Sequence, residues 1–371
     1  MSWNIEAVGD HSTPHVLDAF HTTGSSPTAV QTEPRRGTAE PRQGTLESST
    51  GTVELLHGTV ELKTGSRVAY ASYGRDDAPA ILVLGGISAH RFVAGGPDGT
   101  QGWWPGVVGS GTALDPERHR LVSIDYLGGA GDSTLAEPAG PGLPVVTTAD
   151  QARAVVAVLD HLEIETLAGF LGASYGGMVG LALAVAHPDR LKRLLVLCAA
   201  HRSHPMATGL RVLQRRIVTL AAAAGREAEG LALARELAMT TYRTPEEFEV
   251  RFASAPEWEQ GAPRFAVEKY LEVQGERFAR RFDAQAFRIL SQSLDLHRIA
   301  PECIHVPTTI VSVDSDGVVP PWLVAEMARR LPDSGRTVRI ASNYGHDAFL
   351  KEKRVVSRLI RRFLTEEVHH G

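Results

Sequence analysis

Short apolar runs recur along this chain, and none extends into a long stripe. Ile81–Leu84 runs into Gly85-Gly86, and Leu121–Ile124 runs into Asp125. Thr166–Leu171 and Leu194–Leu197 are of the same kind. Runs this short and this uniformly apolar are what strands buried on both faces of a parallel sheet look like. Val68–Tyr73 is a further short strand, with Val68 and Tyr70 on one face. Helical stretches separate them. Thr148–Leu162 sets Ala152, Val155, Val156 and Leu159 on one stripe, and Met178–Ala186 stops at His187-Pro188. Strands alternating with helices predict an α/β fold: a mostly parallel sheet covered on both faces.

The alternation breaks once. From Pro205 to Ile299 the chain reads as almost pure helix, rich in Ala, Leu, Arg and Glu. It then resumes with a strand at Thr308–Val313, a helix at Pro321–Leu331, a strand at Thr337–Ile340 and an amphipathic helix at Lys353–Leu364. The expected organisation is one sheet domain interrupted by a helical lid. The domain's first part spans 51–203, the lid 204–300 and the second part 301–371. Residues 1–50 are dense in Ser, Thr, Pro, Gly and Glu without apolar periodicity, and are expected to be a disordered extension. The segment GTVEL occurs at 51–55 and at 58–62. That offset fits two short strands, or one strand with a chance echo, and order is expected to set in after Gly58.

Composition narrows the function classes. The 38 Lys and Arg against 43 Asp and Glu leave a net charge of −5, which argues against broad nucleic-acid binding. No run approaches the ~18 apolar residues of a membrane span. Two cysteines, Cys198 and Cys303, cannot build a disulfide framework or a cysteine zinc site, which fits a cytoplasmic protein. The N-terminal sequence lacks the cationic and apolar regions of a secretory signal. No metal-ligand spacing such as H-E-x-x-H appears, and His201-x-x-His204 reads as a loop detail.

One motif carries chemistry. Gly172-Ala173-Ser174-Tyr175-Gly176 follows an apolar run and precedes a helix, the strand–turn–helix setting that exposes a nucleophilic serine above a sheet. The glycines permit the tight turn, and the helix N-terminus favours negative charge there. A serine needs a base, and the base needs an orienting acid, which in this setting follow in the order acid, then histidine. The loop after Thr308–Val313 holds Asp314 and Asp316, of which Asp316 lies further into the loop and is preferred. The loop after Thr337–Ile340 holds His346. The backbone amides of Tyr175 and of Ile87, in the glycine-rich turn after Ile81–Leu84, are the expected oxyanion donors.

These residues lead to a family. The chain resembles the homoserine O-acyltransferases of methionine biosynthesis, which have the α/β-hydrolase fold. Ser315-Asp316 with Pro320-Pro321 resembles their acid loop, and Tyr344-Gly345-His346-Asp347-Ala348-Phe349-Leu350 their histidine loop. Leu127–Thr134 resembles a glycine-rich loop of that family, and Thr241–Phe248 with Arg251-Phe252 a lid segment. The resemblance runs from about residue 65 to 364. It implies that Arg215 binds the substrate carboxylate and Asp347 its ammonium, roles that suit a guanidinium and a carboxylate. It implies an acyl-CoA donor, no cofactor and no metal, and a homodimer. Gly85–His90 and Ala200–Pro205 look more like the branch that transfers succinyl groups, for whose extra carboxylate His90, Arg91 and Arg202 are the nearby candidates. Acetyl-CoA as donor, serine as acceptor, and a plain esterase remain as alternatives.

Overall fold

The structure, a computed structural model, describes residues 41–48, 51–137, 142–332 and 335–365. The expected extension over residues 1–40 lies outside the described residues. The chain begins with three antiparallel strands, β1 (Arg42–Ser48), β2 (Gly51–Glu61) and β3 (Arg67–Tyr73). β4 (Ala80–Leu84) and β5 (Arg120–Ile124) follow, then helix α1 (Thr148–His161). Next come β6 (Gly169–Ala173), α2 (Tyr175–Ala186) and β7 (Leu194–Leu197).

Five helices then intervene: α3 (Pro205–Ala223), α4 (Glu227–Tyr242), α5 (Pro245–Phe252), α6 (Ala266–Ala279) and α7 (Ala284–Leu296). The small hairpin β8 (Glu257–Glu259) and β9 (Ala262–Arg264) interrupts them, so this stretch is not purely helical. The chain returns through β10 (Thr308–Val313), α8 (Pro321–Arg330), β11 (Gly335–Ile340), α9 (Ala348–Lys351) and α10 (Lys353–Thr365).

The large sheet has nine strands in the order β1-β2-β3-β5-β4-β6-β7-β10-β11. β3 pairs antiparallel with β5, and every pairing from β5 to β11 is parallel. β4, β5, β6 and β7 are buried at every position, which explains their continuous apolar sequence. Separate apolar clusters pack on the two faces. One gathers Val155 and Leu159 of α1 with Val179 and Leu183 of α2, and the other Val356, Ile360 and Phe363 of α10 with Trp104. The stripe Ala152, Val155, Val156 and Leu159 is buried, and Thr147 caps α1 in a reciprocal box with Asp150.

Three expectations change. Order begins before Gly58, because residues 42–48 form β1 and pair with 51–57 of β2. An edge strand can be polar and still satisfy its backbone, so composition gave no sign of it. The two GTVEL segments lie along one strand, β2, except for the final leucine. The strand expected at Thr166–Leu171 is observed at Gly169–Ala173, so it ends directly at Ser174.

Candidate active site

β6 delivers Ser174 at its C-terminal end. Ser174 adopts φ 53° and ψ −117°, a conformation costly for a residue with a Cβ. Close packing holds it there. A Cβ on Gly172 would lie 2.3 Å from Gly176 O, and one on Gly176 would lie 2.3 Å from Leu84 O. Only glycine fits either place, so the G-x-S-x-G spacing is a packing requirement here.

The loops after β10 and β11 bring the partners to the same edge of the sheet. His346 Nε2 lies 2.9 Å from Ser174 Oγ, and His346 Nδ1 lies 2.8 Å from Asp316 Oδ2. The other oxygen of Asp316 accepts from the Val318 and Val319 amides, both at 2.9 Å. Asp314 instead faces outward to Arg339, at 2.9 Å. Asp316 and His346 are both buried. Burial pulls the imidazole down, but the charge and hydrogen bond of Asp316, with Asp347 behind it, more than offset this. The pKa of His346 therefore lies above 6.5. Cys198, buried beneath the site at the end of β7, has its thiol pushed well up by burial and by the same two carboxylates.

The β4–β5 connection closes the other side. Gly176 N donates to Gly85 O at 2.9 Å, and Tyr126 Oη donates to the same carbonyl at 2.6 Å. This pins Gly86 against Ser174 and leaves the Ile87 and Tyr175 amides without a backbone carbonyl partner among the described residues. The Tyr175 side chain is fully buried beside Tyr126 and bonds Ser293 Oγ at 2.6 Å.

The cavity above Ser174 is small, about 60 Å³, and Ile87, Ser174 and His346 all line it. Two guanidiniums share its wall, Arg202 and Arg211. Arg202 pairs with Glu326 at 2.9 Å. Arg211 donates to Asp295 at 2.7 Å and to Ser203 Oγ at 2.9 Å.

The two residues expected to grip an amino acid sit differently. Arg215 is not in the wall. It reaches Ser291 Oγ at 2.8 Å and Asp295 Oδ2 at 2.7 Å. The α3 residues in the wall are Ala207, Leu210, Arg211 and Gln214, and Arg215 lies on the flank beside them. Asp347 is also outside the wall. Its Oδ2 lies 3.0 Å from Arg243 Nε, an ion pair set off the line of a hydrogen bond.

Of the other cations considered, Arg91 is held by Asp125 and Asp132, and His90 lines a separate, larger cavity. Sequence reasoning assigned no role to Arg211 or to Tyr242, whose ring centroid lies 5.7 Å from that of His346. The spacing of α3 marked a stripe but not which flank faced inward. His204 caps α3 and His201 meets Glu326, so this histidine pair serves the loop. Among the described residues, no group of three or more His, Cys, Asp or Glu could hold a metal ion, and no helix is long and apolar enough to cross a membrane.

Residues 91–353 match the family model described as the alpha/beta hydrolase fold. The chain is 45% identical over 289 residues to a homoserine O-succinyltransferase of Xanthomonas campestris pv. campestris, covering 77% of this chain and 75% of that one. It belongs to the homoserine O-acyltransferases of the α/β-hydrolase fold. A homoserine O-acetyltransferase of Thermus thermophilus is 34% identical over 338 residues, covering 80% of this chain and 86% of the relative. The crystal structure of a homoserine O-acetyltransferase from Bacillus anthracis superposes with a TM-score of 0.73 at 19% identity. It covers 89% of this chain and 98% of its own, and bears on the fold alone.

Proposed function

We propose that this homoserine O-acyltransferase transfers a succinyl group from succinyl-CoA to the side-chain hydroxyl of L-homoserine, in methionine biosynthesis. The observation that carries the reading is the bonded series Ser174–His346–Asp316 in a small cavity that also presents two guanidiniums. His346 Nε2 takes the Ser174 proton as Oγ attacks the thioester carbonyl. The oxyanion rests on the Ile87 and Tyr175 amides, and one such donor is worth ~10²–10³ in rate. The C–S bond breaks, and His346 returns the proton to the departing thiolate. His346 then takes the homoserine hydroxyl proton as that oxygen attacks the acyl-serine, and Ser174 recovers its proton. The kinetics are ping-pong.

Both the succinyl group and homoserine carry a carboxylate, and each needs a cation in a cavity this closed. Arg202 and Arg211 supply two. Arg215 acts one step back, positioning Ser291 and Asp295, and Asp347 acts on the charge of His346. The 45% identity to a succinyl-transferring relative, against 34% to an acetyl-transferring one, supports the same donor. The same reading makes the protein a cytoplasmic homodimer. Exposed Leu213 and Leu220 on α3 and Leu233 on α4 are apolar surface that pairing would cover.

A matrix crossing acetyl-CoA and succinyl-CoA with homoserine and serine, following CoA release, tests the assignment. Sustained release, beyond one equivalent of CoA per enzyme, is expected only with succinyl-CoA and homoserine together. Transfer from acetyl-CoA alone overturns the donor, and sustained release without any amino acid favours an esterase. Ser174→Ala is expected to lower transfer by at least ~10³-fold.

A further inference from the structure

A second cavity, about 820 Å³, meets the Ser174 cavity at Ile87, which lines both. Homoserine does not need this space, which lies in the ~300–1,000 Å³ range of sites for much larger ligands. Its floor is the loop Ser88–His90 with Trp103 and the glycine-rich turn Gly129–Gly131. Its roof comes from the inserted helices and carries three guanidiniums: Arg235 of α4, Arg277 of α6, and Arg281 just beyond α6.

These arginines differ from the others near the site. Arg91, Arg202, Arg211, Arg215 and Arg243 each pair with a carboxylate. Among the described residues, Arg235, Arg277 and Arg281 pair with none. Arg235 instead stands between the rings of Tyr242 and Phe278, 5.3 and 5.2 Å from their centroids. Arg281 donates only to the Arg277 carbonyl, at 3.4 Å, and its charge reaches His90 across the cavity, helping burial to lower that imidazole's pKa. The one carboxylate in the floor, Asp125, is already taken by Arg91. In a chain of net charge −5, three uncompensated cations over one cavity call for an anionic ligand with more than one charged group.

We propose that Arg235, Arg277 and Arg281 bind the phosphates of the acyl donor's nucleotide end, while the thioester reaches Ser174 past Ile87. The inference rests on the acyl-CoA reading above and adds the residues that select a phosphorylated donor. Guanidiniums suit this task because they hold phosphate oxygens in pairs.

The test compares the wild-type enzyme with an Arg277→Gln/Arg281→Gln variant on two donors, succinyl-CoA and S-succinylpantetheine, which lacks the nucleotide. Both side chains are exposed and unpaired, so the fold is expected to persist, which a thermal melt checks. The expected result is a KM for succinyl-CoA raised roughly 10- to 100-fold, with the KM for the pantetheine thioester changed less than twofold. Equal shifts for both donors, or none for either, overturn the proposal. Calorimetry with CoA, which needs no turnover, separates the two readings. Binding that the variant loses supports the arginine wall even if no acyl transfer is found, whereas undiminished binding overturns it. Tighter binding of ATP or inorganic phosphate than of CoA also overturns it, because the site would then serve a free phosphate ligand rather than the donor.

Discussion

At the residue scale, Asp316 does more than hold His346 in place. Its charge keeps the imidazole pKa above 6.5 despite burial. The base must be neutral to accept the Ser174 proton, so kcat/KM is expected to keep rising with pH beyond 6.5 before it levels. Asp316→Asn removes the nearer opposing charge and leaves burial opposed only by Asp347. The acid limb is then expected to move to lower pH while kcat falls by ~10⁴. A pH–rate series on both proteins checks this, and an unmoved limb would argue that another group titrates. Ser174, Asp316 and His346 were legible in the sequence because strand ends and chain order fix where such residues stand. Arg211 was not. Its partner Asp295 is 84 positions away, and helical spacing does not say which of Arg211 and Arg215 faces the cavity.

At the scale of elements, the inserted helices and the sheet are joined by specific bonds. Thr244, the cap of α5, donates to the Asn343 carbonyl at 2.6 Å, so α5 is tied to the loop carrying His346. His297, at the end of α7, meets Thr148 at the start of α1 with Nδ1 and Oγ1 2.9 Å apart. His297 is fully enclosed, and burial lowers its pKa from 6.5 to about 3. The unfolded chain therefore takes up this proton first, and stability falls as pH drops from 6.5 toward 3, by at most ~1.4 kcal/mol per pH unit. His297→Gln is expected to flatten that part of the stability profile, measured by urea unfolding at several pH values. The alternation of strands and helices was legible because burial on both faces writes itself into the composition of a strand. The hairpin β8–β9 was not, since all but one of its residues are exposed and carry no such mark.

At the scale of the whole molecule, contacts remote in sequence close the fold. Trp104 is 1% exposed and donates from Nε1 to the Phe349 carbonyl at 3.0 Å, across 245 positions. Phe349 follows His346 by three residues, so the β4–β5 connection and the histidine loop support one another. Trp104→Ala is expected to cost about 3–5 kcal/mol, read as a lower urea midpoint at unchanged slope. The sheet has two borders. β11 carries Arg336 and Arg339, charges of the kind that discourage pairing with another chain. At the other border β1 covers β2 along seven residue pairs, five strands from Ser174. A chain begun at residue 51 would keep every residue of the site yet uncover the edge of β2 from Gly51 to His57. It is expected to turn over substrate normally when dilute and to aggregate edge to edge as its concentration rises. On this expectation a short polar segment with no part in the chemistry would set the concentration at which the enzyme stays in solution.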